Sequence, residues 1–302
     1  MTRLPQIALL PDGKRLHLQD GPIDLIVEAK GRDADVRAAY EAAARRFTGL
    51  LDELCAELTL LRTAADPRHC TLQGMVARRM HAAVAPFAAD CFITPMAAVA
   101  GSVAEEILRA MLLIAPLDRA FVNNGGDIAL HLAGGEQFSV GLMDRPDRHG
   151  VMRTMTVDAD MPARGIATSG RHGRSFSLGI ADAVTVLART ASQADAAATV
   201  IANAVDLPGH SAILRVPANE LQPDSDLGTR LVTRDVGTLA EDEIEQALEA
   251  GAIRARDLLT SGLIEGAALR LLGETRLIGA TGSVATSTPA FQRISIQGVM
   301  NV

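Results

Sequence analysis

The chain has 302 residues, of which 48% are hydrophobic and only 3% aromatic, and it carries a formal net charge of −7. This length allows a large core, in two domains or in one large α/β unit, which Ala, Val, Leu and Ile must fill. The negative charge, without a basic tract or an aromatic-rich strand, excludes a general nucleic-acid binder.

Targeting and covalent features are sparse. The three cysteines are scattered and too few for a disulfide framework or a zinc site, so we interpret them as buried free thiols. The four-residue apolar run before Pro11 resembles neither a signal peptide nor a lipoprotein leader. The longest apolar run, near residues 92–104, is interrupted by Pro95 and Gly101 and is too short to span a bilayer. We therefore expect a cytoplasmic protein without a membrane partner.

The N-terminal part is predicted to form a hairpin followed by helices. Two apolar segments flank a Pro-Asp-Gly-Lys turn, and leucines at helical spacing follow, with Gly49 as a point where a long helix could kink or divide. The predicted strands are 6–10, 15–19 and 23–29, and the predicted helices are 33–61 and 72–84.

A third helix is predicted to begin at Thr94 and Pro95. Threonine is a favoured N-cap residue, and proline is favoured at the first helical position. The first half of this helix consists almost entirely of small residues. These let either another backbone or a ligand come close, and both interpretations stay open.

Turn chemistry marks the next segment, Asn123-Asn124-Gly125-Gly126-Asp127, which lies between predicted strands 117–122 and 128–132. It is either a plain β-turn or a close approach of the backbone to a planar or phosphate ligand, with Asp127 accepting hydrogen bonds. Further on, we predict strands over 137–143 and 152–157, separated by a charged loop over 144–150.

Residues 165–205 contain the densest grouping of small residues, hydroxyls and carboxylates. An apolar run stops at Thr168, Ser169 and Gly170, and glycines then alternate with arginine, histidine and serine. Such a loop can offer backbone N–H groups and hydroxyls to a phosphate. An apolar run over 183–188 and a helix-like segment from Ser192 follow.

Two residues of that helix are candidate metal ligands. Asp195 and Thr199 are four positions apart and share one helix face, and carboxylate and hydroxyl oxygens are ligands that Mg²⁺ prefers. The same pair is also typical of a first-turn aspartate beside a hydroxyl bonded to the backbone. A hydrolase triad of Ser169, His172 and Asp182 is conceivable, but no nucleophile elbow presents the serine.

The C-terminal third is predicted to contain strands and one amphipathic helix over residues 240–259. The remaining predicted elements are strands over 212–216, 231–236, 263–272 and 294–302, and a loop over 281–288. No internal repeat accompanies them.

Five blocks in this order resemble the ApbE-type flavin transferases, which are FAD:protein FMN transferases once called thiamine-biosynthesis lipoproteins. The resemblance is closer to their uncharacterised bacterial and archaeal relatives, and its motifs cover residues 90–205. The blocks are PMAAVAG (95–101), VNNGGDI (122–128), GIATSG (165–170), ADAVTV (181–186) and QADAAAT (193–199).

The resemblance implies an α/β (α+β) fold, with helices packed around mixed or antiparallel sheets. It implies one unit over residues 1–302, with an N-terminal hairpin and helices (1–90), a ligand-binding core (91–210) and C-terminal strands and a helix (211–302). It also implies an FAD site with Mg²⁺ near the pyrophosphate, the metal being held by Asp195 and Thr199. The matching flavin-contact positions are Asn124, Gly125, Gly126, Asp127, Thr168, Ser169 and Gly170.

Two motifs of the transferases are missing here: a Lys-Gly pair ahead of the Gly-Gly-Asp block, and a histidine with Asp-Pro-x-Thr-Gly after the Thr-Ser-Gly block. One hypothesis is a Mg²⁺-dependent enzyme of cofactor metabolism that acts across a pyrophosphate. In it, His172 and Asp182 are the catalytic candidates, with Asp182 as a base or a second metal ligand. The phosphate contact is assigned to His172, Arg171 or Arg174. The alternatives are a non-catalytic binding protein or sensor for a nucleotide-like anion, and an enzyme acting on another cofactor precursor such as a pterin. The sequence leaves open whether the protein forms a homodimer.

Overall fold

The structure is a computed structural model that describes residues 4–143 and 151–279. The predicted loop over 144–150, the predicted loop over 281–288 and the predicted strand over 294–302 lie outside the described residues.

A nine-stranded sheet forms the centre of the described chain. Its strand order is β1-β2-β3-β4-β5-β8-β9-β12-β13, and all neighbouring strands are antiparallel. Two further hairpins, β6–β7 and β10–β11, pair separately. The strands are β1 Gln6–Leu9, β2 Leu16–Asp20, β3 Ile23–Lys30, β4 Arg119–Asn124, β5 Asp127–Leu132, β6 Gln137–Met143, β7 Val151–Asp158, β8 Gly165–Ser169, β9 Ala183–Ala188, β10 Ile213–Pro217, β11 Leu231–Val236, β12 Gly266–Leu271 and β13 Glu274–Gly279.

Helices cover one face of this sheet, and the longest of those described, α8, has 20 residues. No described helix is long and apolar enough to cross a bilayer. The helices are α1 Asp33–Phe47, α2 Leu50–Ala56, α3 Leu58–Leu61, α4 Met75–Val84, α5 Val99–Leu112, α6 Ala191–Ala204, α7 Ala218–Leu221 and α8 Glu241–Thr260, with 3₁₀ turns at Ala85–Phe87 and Pro95–Ala98.

The two faces of the sheet have separate apolar cores, because successive side chains of a strand point to opposite sides. On the helix face, Leu18 and Val122 of the sheet pack with Ile107 of α5 in one buried cluster. On the opposite face, Phe121 packs with Met155 of the β6–β7 hairpin. α5 and α6 lie side by side against the central strands and carry the residues described below.

The predicted class, helices packed around antiparallel sheets, is confirmed, and so are the N-terminal hairpin and the helix after residue 240. The predicted helix over 33–61 divides into α1, α2 and α3. The first division is at Gly49, whose φ of 83° is left-handed and cannot continue a right-handed helix, and the second is at Glu57, whose φ of −112° and ψ of 14° are not helical.

Three other details differ from prediction. Thr94 precedes a 3₁₀ turn and caps no helix through its side chain, because its hydroxyl instead donates to Asp226 Oδ2 at 2.5 Å. β13 was not predicted. The expectation of buried thiols is wrong for Cys55 and Cys70, which are exposed.

Candidate functional site

Helices α5 and α6 cap each other. The N-cap residue of α5 is Ala98, which has no side-chain acceptor, and Gly101 N–H donates instead to Asp195 Oδ2 of α6 at 2.9 Å. In return, Glu105 Oε1 of α5 accepts from Ser192 N–H at 2.7 Å and from Ser192 Oγ at 2.8 Å. Each helix thus satisfies N–H groups that the other leaves without an intrahelical partner.

Two glycines make this crossing close. A Cβ on Gly101 would lie 2.3 Å from the carbonyl oxygen of Ala191, and a Cβ on Gly165 would lie 2.1 Å from that of Thr190. The start of α6 is therefore held between the backbones of α5 and β8. Of the two interpretations of the small residues at the start of α5, the close approach of another backbone is confirmed.

The Asn-Asn-Gly-Gly-Asp segment is the two-residue turn of the β4–β5 hairpin, in which Asn124 pairs with Asp127. Gly125 and Gly126 have φ values of 65° and 112°, which this kind of tight turn requires. Asn124 Nδ2 donates to the carbonyl oxygen of Ala100 at 3.2 Å and so ties the turn to the start of α5. The exposed Arg174 lies over the turn, 3.3 Å from the point that a Cβ on Gly125 would occupy.

The charges of Asp127 and Asp195 interact at this place. Burial raises the pKa of Asp127 well above its usual 3.8, and the nearby Asp195 charge raises it further, against the N–H of Thr168 and the charge of Arg174. Burial also raises the pKa of Asp195 to about 7, against the N–H groups of Gly101 and Ala100. Two neighbouring carboxylates in such a site are unfavourable together unless they share a proton or a cation.

The donor set fits one hard cation. Asp127 Oδ1 accepts from Thr168 N–H at 3.2 Å, and Asp195 Oδ2 accepts from Gly101 N–H at 2.9 Å, with a further hydrogen bond from Ala100 N–H to Asp195. Thr199 lies one turn further along α6 and is half-buried. The described part of the chain has no group of three or more His, Cys, Asp or Glu side chains that could hold a metal. A cation here would thus need oxygens from a hydroxyl, the ligand or water.

The Thr-Ser-Gly block lies beside this pair at the end of β8. Thr168 is exposed, and its Oγ1 lies 2.9 Å from Oγ1 of Thr185 on β9. Ser169 is half-buried opposite Val184. Gly170 presses against the backbone of the following loop, where a Cβ would lie 2.6 Å from the carbonyl oxygen of Asp182.

The predicted catalytic pair belongs to a separate network. Asp182 Oδ1 accepts from Arg171 at 2.9 and 2.6 Å and lies 3.2 Å from His172 Nε2. Its Oδ2 accepts from Leu272 N–H at 2.6 Å. The buried Asp182 thus joins the loop after β8 to the β12–β13 turn, and a catalytic role for His172 or Asp182 stays a prediction.

The segments that the sequence interpretation grouped lie close together in the structure, but the residues that join them were not predicted. The structure brings Asn124, Asp127, Thr168, Arg174 and Asp195 to one place. The helix caps were not predicted, because a cap donated by a different helix leaves no local sequence pattern. Glu105 carries the only sequence signal, as a carboxylate close after the small-residue segment.

Comparison with known proteins gives the family. The sequence model of the family described as AbpE bacteria matches residues 7–277. A UPF0280 protein from Methanopyrus kandleri is 35% identical over 182 residues, which cover 60% of this chain and 69% of the relative. UPF0280 proteins from Archaeoglobus fulgidus and Methanothermobacter thermautotrophicus are 34% and 40% identical, over 55% and 44% of their own lengths and 47% and 38% of this chain. The chain belongs to the family described as AbpE bacteria and is similar to archaeal UPF0280 proteins.

Proposed function

We propose that this protein binds FAD with a Mg²⁺ ion between Asp127 and Asp195, and that it acts in cofactor metabolism on the pyrophosphate of that ligand. The observation that carries the proposal is the pair of adjoining carboxylates, whose pKa values are both raised. A cation between them would relieve their repulsion, and Mg²⁺ is commonly held by one or two carboxylates together with phosphate oxygens.

Each residue then has a definite task. Asp195 keeps Oδ2 on the N–H of Gly101 and offers its other oxygen to the metal, with the Thr199 hydroxyl on the same helix face. Arg174, exposed over the glycine turn, donates to a phosphate. When bound, Mg²⁺ neutralises pyrophosphate charge, which favours cleavage or transfer at phosphorus.

Calorimetric titration with FAD tests this proposal. We expect the wild-type protein to bind FAD at least about tenfold more tightly with Mg²⁺ than with EDTA. Without the cation, the carboxylates and the pyrophosphate lose charge-assisted contacts, which lowers the binding free energy by about 1 kcal/mol or more. Asp195→Asn should lose this difference, while Asp118→Asn, a change of an exposed aspartate, should keep it. An unchanged Mg²⁺ effect in Asp195→Asn would refute the metal assignment.

A binding protein or sensor without catalysis is the second candidate. The supporting observation is that Asp182 already accepts hydrogen bonds from Arg171 and Leu272, which suits a loop anchor better than a base. Incubation with FAD and Mg²⁺ followed by chromatography separates the two candidates, because release of FMN or AMP above background removes the second. Mass spectrometry of the molecule that copurifies with the protein would reveal another precursor, such as a pterin.

A further inference from the structure

A cavity of about 310 Å³ lies between the C-terminal half of α5, the start of α6 and strands β5 and β8. It lies next to the place where β5 and β8 pair through Ile128–Ile166 and Ala129–Gly165. Leu130 N–H continues this pairing by donating to the carbonyl oxygen of Arg164 at 2.8 Å, and the C-terminal half of α5 lies against the same place. The volume is at the small end of the range for ligand sites, which begins at roughly 300 Å³.

One wall of this cavity is apolar. Leu108, Leu112 and Leu113 of α5 line it together with Ala129 of β5. Leu113 is 68% exposed although it is a large aliphatic residue, so its side chain can gain burial from a ligand.

Two arginines form the opposite, cationic side. Gly165 pairs with Ala188 across β8 and β9, which places Arg164 and Arg189 opposite each other one residue further on. Like charges opposite each other on neighbouring strands are destabilising unless something lies between them.

Neither charge is well compensated by protein. Among the residues that the structure describes, the guanidinium of Arg164 donates only to the backbone carbonyl oxygens of residues 159, 161 and 163, and it forms no ion pair with them. Arg189, whose side chain is 68% exposed, meets Glu265 through Nε alone at 3.3 Å. Glu105 also lines the cavity, but its oxygens already serve Ser192 and Arg79.

We propose that this cavity binds an amphipathic anion, whose carboxylate or phosphate head accepts from Arg164 and Arg189 and whose aliphatic body lies on the leucines of α5. The two guanidinium charges favour an anionic head group, and the apolar wall favours an aliphatic chain attached to it. Neither Asp127 nor Asp195 lines this cavity, so either proposal can fail without the other.

The absence of tryptophan from the chain permits a direct test. Leu113→Trp places the sole indole of the protein in the cavity wall, and Ile253→Trp places it at a comparably exposed apolar position on α8 as a control. We expect octanoate or octyl phosphate to change the fluorescence of Leu113→Trp saturably, with little effect from octanamide and none in Ile253→Trp. The stronger of the two anions identifies the head group.

The cationic side is tested by Arg189→Gln in the Leu113→Trp background. Loss of one charge-assisted contact should weaken binding about tenfold. Arg256→Gln, a change of a half-exposed arginine on α8, should leave binding unchanged. Equal binding of octanamide, unchanged affinity in Arg189→Gln, or no saturable heat when octanoate is titrated into the unsubstituted protein would each overturn the proposal.

Discussion

Replacing Asp127 by asparagine should stabilise the metal-free protein near pH 8 and remove its stabilisation by Mg²⁺. Asparagine keeps an oxygen that can accept from Thr168 N–H, but it carries no charge toward Asp195. The change therefore removes one of two neighbouring charges with little change in shape. A gain in stability at a binding site is the usual sign that the native residue is kept for function.

Burial raises the pKa of Asp195 to about 7, and the charge of Asp195 is the second cause, after burial, of the raised pKa of Asp127. One pKa unit corresponds to about 1.4 kcal/mol of difference between the two protonation states. Because water still reaches both half-buried side chains, we expect about 1–2 kcal/mol of stabilisation from removing one charge. For a chain of this size that corresponds to a rise in melting temperature of roughly 2–5 °C.

The raised pKa of Asp195 also determines whether stability rises or falls with pH. A carboxyl group whose pKa is raised on folding holds a proton that the unfolded chain releases, so stability is lost as pH rises from about 4 to about 7. The melting temperature of Asp127→Asn should therefore equal that of the wild type near pH 4 and exceed it near pH 8. Addition of Mg²⁺ at pH 8 should raise the melting temperature of the wild type only.

Differential scanning calorimetry at these two pH values, with EDTA and with Mg²⁺, measures all four states. Asp118→Asn is the matched control, since the same chemical change at an exposed site should leave every difference in place. A lower melting temperature of Asp127→Asn at pH 8 in EDTA, or equal Mg²⁺ stabilisation in both proteins, would refute the idea that the two carboxylates oppose each other.

Three further predictions concern how the site is held. Glu105→Gln weakens the cap of α6 and should lower the free energy of unfolding, measured in urea, by about 1 kcal/mol. No change in salt concentration should fully restore this stability. Gly101→Ala forces a methyl group to within 2.3 Å of the Ala191 oxygen and should cost more than about 2 kcal/mol, whereas Gly134→Ala, with open space around it, should stay within about 0.5 kcal/mol. Burial alone would raise the pKa of Glu106, but hydrogen bonds from three arginines lower this pKa to about 2. Glu106→Gln should therefore lower the free energy of unfolding by about 3 kcal/mol at pH 7, and by less as the pH falls toward 2.

The sequence predicted those parts of the fold whose signals are local. The strand β2, whose burial alternates with the side-chain period, was predicted, and the Asn-Gly-Gly-Asp turn, which follows from φ preferences, was one of the two interpretations left open. The order of the strands was not predictable in this way. β3 pairs with β4 although α1 to α5 separate them along the chain, and only the packing of those helices against the sheet decides that pairing.

The candidate site shows the same difference between features with local sequence signals and features without them. Asp195 and Asp127 could be selected as residues, because they lie in small-residue blocks that resemble a known family. Their opposition could not be predicted, since it depends on how closely α6 approaches α5 and β8. That approach is set by Gly101 and Gly165, whose importance lies in backbone contacts with residues distant in sequence.

Asp195 has two roles that explain why the site is built on a helix crossing. Its Oδ2 caps the start of α5, where the N–H groups of Gly101 and Ala100 favour the charged form of the carboxyl group. Its surroundings and Asp127 favour the neutral form of the pair. A cation between the two carboxylates would satisfy both demands, because the helix cap and the metal each take one oxygen. The cap then orients Asp195 before any ligand arrives, so a variant that keeps the cap but lacks the charge, Asp195→Asn, should keep the fold and lose the Mg²⁺ effect.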